Sequence, residues 1–169
     1  MNLTVIISEF SKNKDVFRTL LARLNKDEYL WKSSPDKWCL LEIVCHLYDE
    51  EREDFRARIR HIFTNPEQPL PSISPADWVT ERKYIQQDFS EMLERFLNER
   101  EESIQWLETL TNPPWDNAHL HPKLGPMSAS LFLNNWLAHD YLHIRQITKL
   151  KYDRLKAISG ENLDYAGNW

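Results

Sequence analysis

The stretch LAHDYLHIRQI, Leu137 to Ile147, carries two histidines four residues apart inside a run with helical periodicity. On an α-helix that spacing stacks His139 and His143 on one face, a turn apart, where both imidazoles can meet a single metal ion. Working outward, Phe132, Trp136, His139, His143, Gln146, Ile147 and Leu150 recur at steps of three and four, so both histidines fall on the stripe that should face a core. Two imidazoles buried side by side each need a partner, and neither gains from protonation next to the other. A shared cation answers both demands. The alternative is two polar residues serving unrelated purposes.

The rest of the chain repeats the helical period. Leu3, Ile6, Ile7, Phe10, Phe17, Leu20, Leu21 and Leu24 predict a first helix over 3–24, interrupted only by Lys14. Ser34, Pro35 and Asp36 combine an N-cap with a first-turn proline and predict a second helix, from Pro35 or Trp38 to about Phe63. Four prolines in NPEQPLPSISPADW, residues 65–78, break the pattern. Ser74, Pro75 and Asp77 repeat the start signal, and Ile85, Phe89, Met92, Phe96, Ile104 and Leu107 carry a third, longest helix to about residue 110. The segment 111–127 holds four more prolines and a glycine and reads as a connection. A fourth helix then runs from near Ser128 to about Tyr152, and 153–169 form a tail ending in Trp169, a candidate for packing back on the body.

Only three glycines occur among 169 residues, and β-branched residues never alternate cleanly with polar ones, so no strand is expected. The prediction is one all-α domain over 1–169 with its body over 3–150, a four-helix bundle whose core can hold a metal site built from facing helices. The connections exceed what simple up-and-down hairpins need, and are long enough for a crossover and for roofing one end.

A net charge of −5 disfavours nucleic acid. The one dense basic run, RARIR at 56–60, alternates along a helix and reads as a solvated surface. Val5 to Ile7 is too short an apolar run for a leader or a membrane span, which predicts a soluble, cytoplasmic protein. Cys39 and Cys45 lie six residues apart in one predicted helix, cannot bridge each other without unwinding it, and read as reduced buried thiols.

Two ligands do not make a strong site. His46, in WCLLEIVCHLYDEE, is the best third candidate, yet at 100° per residue it lies far from the stripe of Val44, Leu47, Tyr48, Phe55 and Ile62. Against that, Trp38 to Tyr48 is apolar everywhere except Glu42 and His46, as expected of a helix enclosed on most sides. Spacing alone leaves His46 open. Glu50, one turn beyond it, reads either as part of a solvated acidic face in DEERED or as an acceptor behind a ligand, a fourth ligand or a general base. His119 and His121, two apart in a loop, reach a metal only if the loop folds over the site, and His61 reads as a surface residue.

A Trp-led helix with one histidine, then a long third helix, then HDYLHIRQI on a fourth resembles the DinB-like superfamily of bacterial four-helix-bundle proteins, over roughly residues 3–150. The resemblance implies up-down-down-up topology and one divalent metal, commonly zinc or nickel, held by His46, His139 and His143. The family often has glycine before the glutamine of the fourth helix, where this chain has Arg145 before Gln146. Members include thiol-dependent transferases and isomerases that use bacillithiol or mycothiol.

Three neutral imidazoles leave a coordination position open, the arrangement of a catalytic metal. Such a site supports either hydrolysis through an activated water or transfer of a low-molecular-weight thiol to a small electrophile. No Ser-His-Asp order, P-loop or Gly-rich dinucleotide turn accompanies it. Tyr48 and Trp136 are candidates for pocket walls or for plain core packing. The rival reading is a non-catalytic metal-binding bundle that works as a homodimer or through a partner.

Overall fold

The computed structural model describes residues 2–167. Trp169 lies outside them. Four helical rods form the body: α1 (Leu3–Leu21); α3 (Leu40–Asp49), a π-helical turn (Glu50–Phe55) and α4 (Arg56–Thr64) in one continuous run; α6 (Phe89–Thr109); and α7 (Ala129–Ser159). Short helices α2 (Lys26–Tyr29) and α5 (Pro75–Glu81) sit in the connections. The hairpin β1 (Ala118–His121) and β2 (Gly125–Ser128) precedes α7. Among the described residues no helix is long and apolar enough to cross a membrane.

Two apolar clusters fix the direction of each rod. One holds Phe17 and Leu21, Val44 and Leu47, Leu93 and Phe96, and Ile147 and Leu150. The other holds Ile6 and Phe10, Ile59 and Ile62, Ile104 and Leu107, and Leu133 and Trp136. The first and last rods run from the second cluster to the first and the middle two run the opposite way, which is up-down-down-up. Because the middle rods are parallel neighbours, the chain between them must travel back along the bundle, hence the long connection over 65–88. At the seam between the clusters each rod contributes buried polar residues: Asn13; His46, Glu50 and Glu51; Arg100; Asp140 and His143.

Local chemistry sets the helix ends, not always where the sequence suggests. Asn2, Asp88 and Ser128 accept from the backbone N–H three residues on, each an N-cap. The second rod starts at Leu40, not Pro35: Ser34 spends its hydroxyl on Asp36 (2.5 Å), and the cap is made at Cys39, whose N–H donates to the Glu42 carboxylate at 2.8 Å. The third predicted helix is two, α5 and α6, separated by Lys83 in the left-handed region (φ 50°). Tertiary contacts hold that break, since Arg82 pairs with Asp49 and Glu53 and the Tyr84 hydroxyl donates to Asp49. The fourth helix runs seven residues past Tyr152 and stops at Gly160, whose φ of +67° suits glycine. The hairpin corrects the expectation of no strands: its four-residue strands are too short to show alternation. Cys39 and Cys45 are free and buried, as expected.

Candidate metal centre

The enclosed section of the second rod delivers His46 and the face of α7 delivers His139 and His143, each half or fully buried. Their Nε2 atoms converge: 3.3 Å from His46 to His139 and 3.0 Å from His143 to His139. His139 is not quite where the periodicity puts it. Leu133, Trp136, Asp140, His143, Ile147 and Leu150 form the buried stripe of α7, and His139 sits half-buried at its edge. There it lines an apolar cavity of about 450 Å³ together with Phe55, Phe132, Leu131 and Met127. Trp38 stacks obliquely near His46 (4.9 Å between centroids) and Phe55 near His139 (5.2 Å), which keeps water from the rings' flanks.

Burial favours the neutral form of all three rings, and the neighbouring imidazoles add to it for His46 and His139, while Gln146 partly opposes it for His143. Burial and then His143 push His46 down to about 3; burial, His143, His46 and Arg100 push His139 to about 2; burial pushes His143 to about 4. Glu50 Oε1 lies 3.9 Å from His46 Nδ1. That contact is not an ion pair: His46 is neutral, and burial followed by Asp54 raises the Glu50 carboxyl to about 8. The inner nitrogens His46 Nδ1 and His143 Nδ1 are buried without a hydrogen-bond partner.

These residues fit a divalent cation. Nitrogens sharing a tetrahedral zinc at roughly 2.0–2.1 Å lie about 3.3 Å apart, close to both separations found. Three nitrogen lone pairs aimed at one point repel one another unless a cation or shared protons lie between them. Among the described residues the three histidines are the one group of His, Cys, Asp and Glu with ligand atoms close enough to hold an ion, so no fourth side chain closes the site.

The other histidines stay away. His119 Nδ1 lies 3.1 Å from the Pro66 carbonyl, His121 accepts the N–H groups of Lys123 and Leu124 in the hairpin, and His61 lies 3.2 Å from the Gln68 carbonyl. Tyr48 and Trp136 are not walls of the apolar cavity. Trp136 is core, its Nε1 donating to Glu51 at 3.0 Å, and Tyr48 accepts from Arg52.

Beneath the triad lies a second buried polar group that sequence reasoning missed. The Arg100 guanidinium forks onto Glu51 (2.8 Å from Nε and from Nη2) and onto Asp140 (2.5 Å from Nη1, 2.7 Å from Nη2). Asn13 donates to Asp140 at 3.1 Å, and the guanidinium lies over the Phe10 ring at 4.7 Å. Burial alone would favour loss of the Arg100 proton, but Asp140 and Glu51 more than reverse it and hold its pKa above the ordinary value. The readable signal was Arg100 standing in the apolar stripe of Phe96, Leu97, Ile104 and Leu107. DEERED is thus no solvated face, since Asp49, Glu50 and Glu51 are buried. Nor is RARIR wholly solvated: Arg56 is buried and donates to Glu99 and to Ser103 Oγ.

A helical bundle that gathers three neutral imidazoles beside an apolar cavity defines a class of potential metal-centre proteins. The family profile of the DinB superfamily matches residues 9–147, and the chain belongs to that superfamily. YfiT from Bacillus subtilis, described as a probable metal-dependent hydrolase with an unusual four-helix bundle topology, is similar in fold with a TM-score of 0.77. The match covers 95% of this chain and 89% of that one at 16% identity. No curated protein sequence matches the chain.

Proposed function

We propose that His46, His139 and His143 hold one divalent cation, zinc or nickel, and that the protein is a metal-dependent hydrolase of a small organic substrate. The observation that carries this reading is the convergence of three Nε2 atoms at the rim of an apolar cavity with no fourth side chain among the described residues. The description of YfiT as a probable metal-dependent hydrolase supports it.

When bound, such an ion supplies Lewis acidity and an activated water at neutral pH. The chain's own contribution is to hold the imidazoles neutral by burial, so that no proton competes for the ligand nitrogens. The Arg100 fork on Asp140 anchors the turn of α7 that carries His139 and His143, which fixes the rings before a ligand arrives. Phe55 and Phe132 offer the substrate an apolar wall beside His139.

Thiol transfer is the second chemistry such a centre supports. Cys39 and Cys45 are buried away from the triad and their thiols are pushed up to about 11 and about 12, chiefly by burial, so a thiol nucleophile would have to come from outside the chain.

The test is elemental analysis of untagged protein beside His46→Ala, His139→Ala and His143→Ala, followed by ester and amide hydrolysis assays with and without an added low-molecular-weight thiol. One equivalent of zinc or nickel in the wild type, none in each variant and metal-dependent hydrolysis without thiol is the expected result. Turnover only with thiol would make it a transferase. No metal after incubation with either ion would overturn the enzyme reading and leave a structural bundle acting through partners or as a homodimer.

A further inference from the structure

The exposed face of α7 changes character as it passes the triad. Leu131, Asn135, Ala138, Leu142, Arg145 and Lys149 follow one another at alternating steps of four and three, so they form a single strip along the helix. The first four line the apolar cavity that reaches His139, and Leu142, Arg145 and Lys149 line an adjoining cavity of about 390 Å³ that reaches His143. Leu142 is the shared wall. Leu131 and Leu142 are 43% and 53% exposed, more than α7 needs for its own packing, and the hairpin adds Leu124 and Met127 to the apolar side. On the far side Lys149 is paired with Asp153 at 2.5 Å, whereas Arg145 makes no ion pair among the described residues.

We infer that this strip binds an elongated amphipathic anion. Its apolar acyl or aryl group lies between α7 and the hairpin, its polar linkage crosses the histidines, and its carboxylate faces Arg145. The inference rests on the metal-centre reading for the role of the linkage, and on the strip alone for the shape and charge of the ligand. From His139 back to Leu131 the helix rises about 12 Å, enough for a medium-length chain. The cavity volume lies within the range of small-molecule sites, roughly 300–1,000 Å³. The polarity is directional: a cation at both ends would accept a dianion, and apolar walls at both ends would accept a neutral lipid, whereas this strip offers one of each.

Calorimetric titration of protein incubated with zinc and then freed of excess metal, with N-octanoylglycine, N-acetylglycine and N-octanoylglycinamide, tests it. N-octanoylglycine should bind at least about thirtyfold more tightly than N-acetylglycine, since each fully buried methylene gives about three- to fourfold and burial of half of the extra chain is enough to reach that factor. It should also bind about fivefold more tightly than its neutral amide, a preference that Arg145→Gln removes while leaving the amide unchanged. Leu131→Glu, at an exposed position, should remove the chain-length preference. Equal affinity for the octanoyl and acetyl compounds, or for acid and amide, overturns the inference. So does a dimer that Leu131→Glu converts to monomer in sedimentation while no probe binds, because the strip is then an interface between copies. Zinc content measured on the same samples separates the two readings. Both preferences in protein that takes up no zinc uphold the strip and sink the metal centre, and stoichiometric zinc without either preference does the reverse.

Discussion

Two buried polar groups sit at the same seam of the bundle and solve opposite problems. Around Arg100 each guanidinium nitrogen donates to a carboxylate, two bonds going to Glu51 and two to Asp140, with Asn13 and Trp136 donating to the same acids. Around the histidines, three Nε2 atoms face one another with no carboxylate between them, and His46 Nδ1 and His143 Nδ1 are buried without a hydrogen-bond partner. A saturated network rigidifies a core and has nothing left to offer a ligand. An unsaturated one is costly unless something else completes it. The first holds the rods in register; the second holds unspent binding capacity where a cavity reaches it.

The strongest way to break this comparison is Arg100→Met, which leaves Glu51 and Asp140 buried and unpaired. It should cost about 3–5 kcal/mol in urea unfolding, whereas replacing Arg100, Glu51 and Asp140 together by Met, Leu and Leu should cost far less. If the single variant unfolds at wild-type urea concentration, the network is not closed. Zinc tests the other group: at a hundredfold excess over its Kd it should stabilise the wild type by about 2.7 kcal/mol and leave His139→Ala/His143→Ala unmoved in thermal melts. Acid sharpens the contrast. In chelator-stripped protein the imidazoles stay neutral when folded and take up protons near pH 6.5 once unfolded. Their neutral form therefore favours the fold above that pH. Stability should fall as pH drops from about 6.5 towards 4, by about 1.4 kcal/mol per pH unit for each proton taken up. The double histidine variant should show a shallower slope in the same titration. Smallest is Trp136→Phe, which keeps one aromatic ring but removes a donor to Glu51 and part of the indole's buried volume; it should cost about 1–2 kcal/mol, because Arg100 still satisfies that oxygen.

How much of this could be read from the sequence depends on how local each cause is. The four rods and the i,i+4 pair His139 and His143 come from periodicity, which needs only near neighbours. His46 is off the stripe of its own helix and buried only because protein surrounds that section on several sides; the family resemblance, not the spacing, pointed to it. Glu51 read as part of an acidic surface run and Asp140 carried no signal of its own, because their partner, Arg100, is 49 and 40 residues away. The break at Lys83 had no glycine to announce it, since contacts from Arg82 and Tyr84 to Asp49 impose it from outside. The hairpin was hidden by its own prolines and its four-residue strands.

The π-helical turn at Glu50–Phe55 has a consequence for how this rod can change. A turn of this kind accommodates one more residue than its α-helical equivalent, and about 100° of rotation goes with each residue. His46 before it and Phe55 at its end are therefore aimed independently, one at the other histidines and one at the cavity. Straightening the turn into α-helix at unchanged length would swing everything from Phe55 to Thr64 by roughly a quarter-turn relative to His46, whereas deleting one residue at the same time would cancel that swing. The rod behaves as a jointed shaft: the joint lets the cavity wall be redrawn in one step while the ring that faces the other histidines stays where it is.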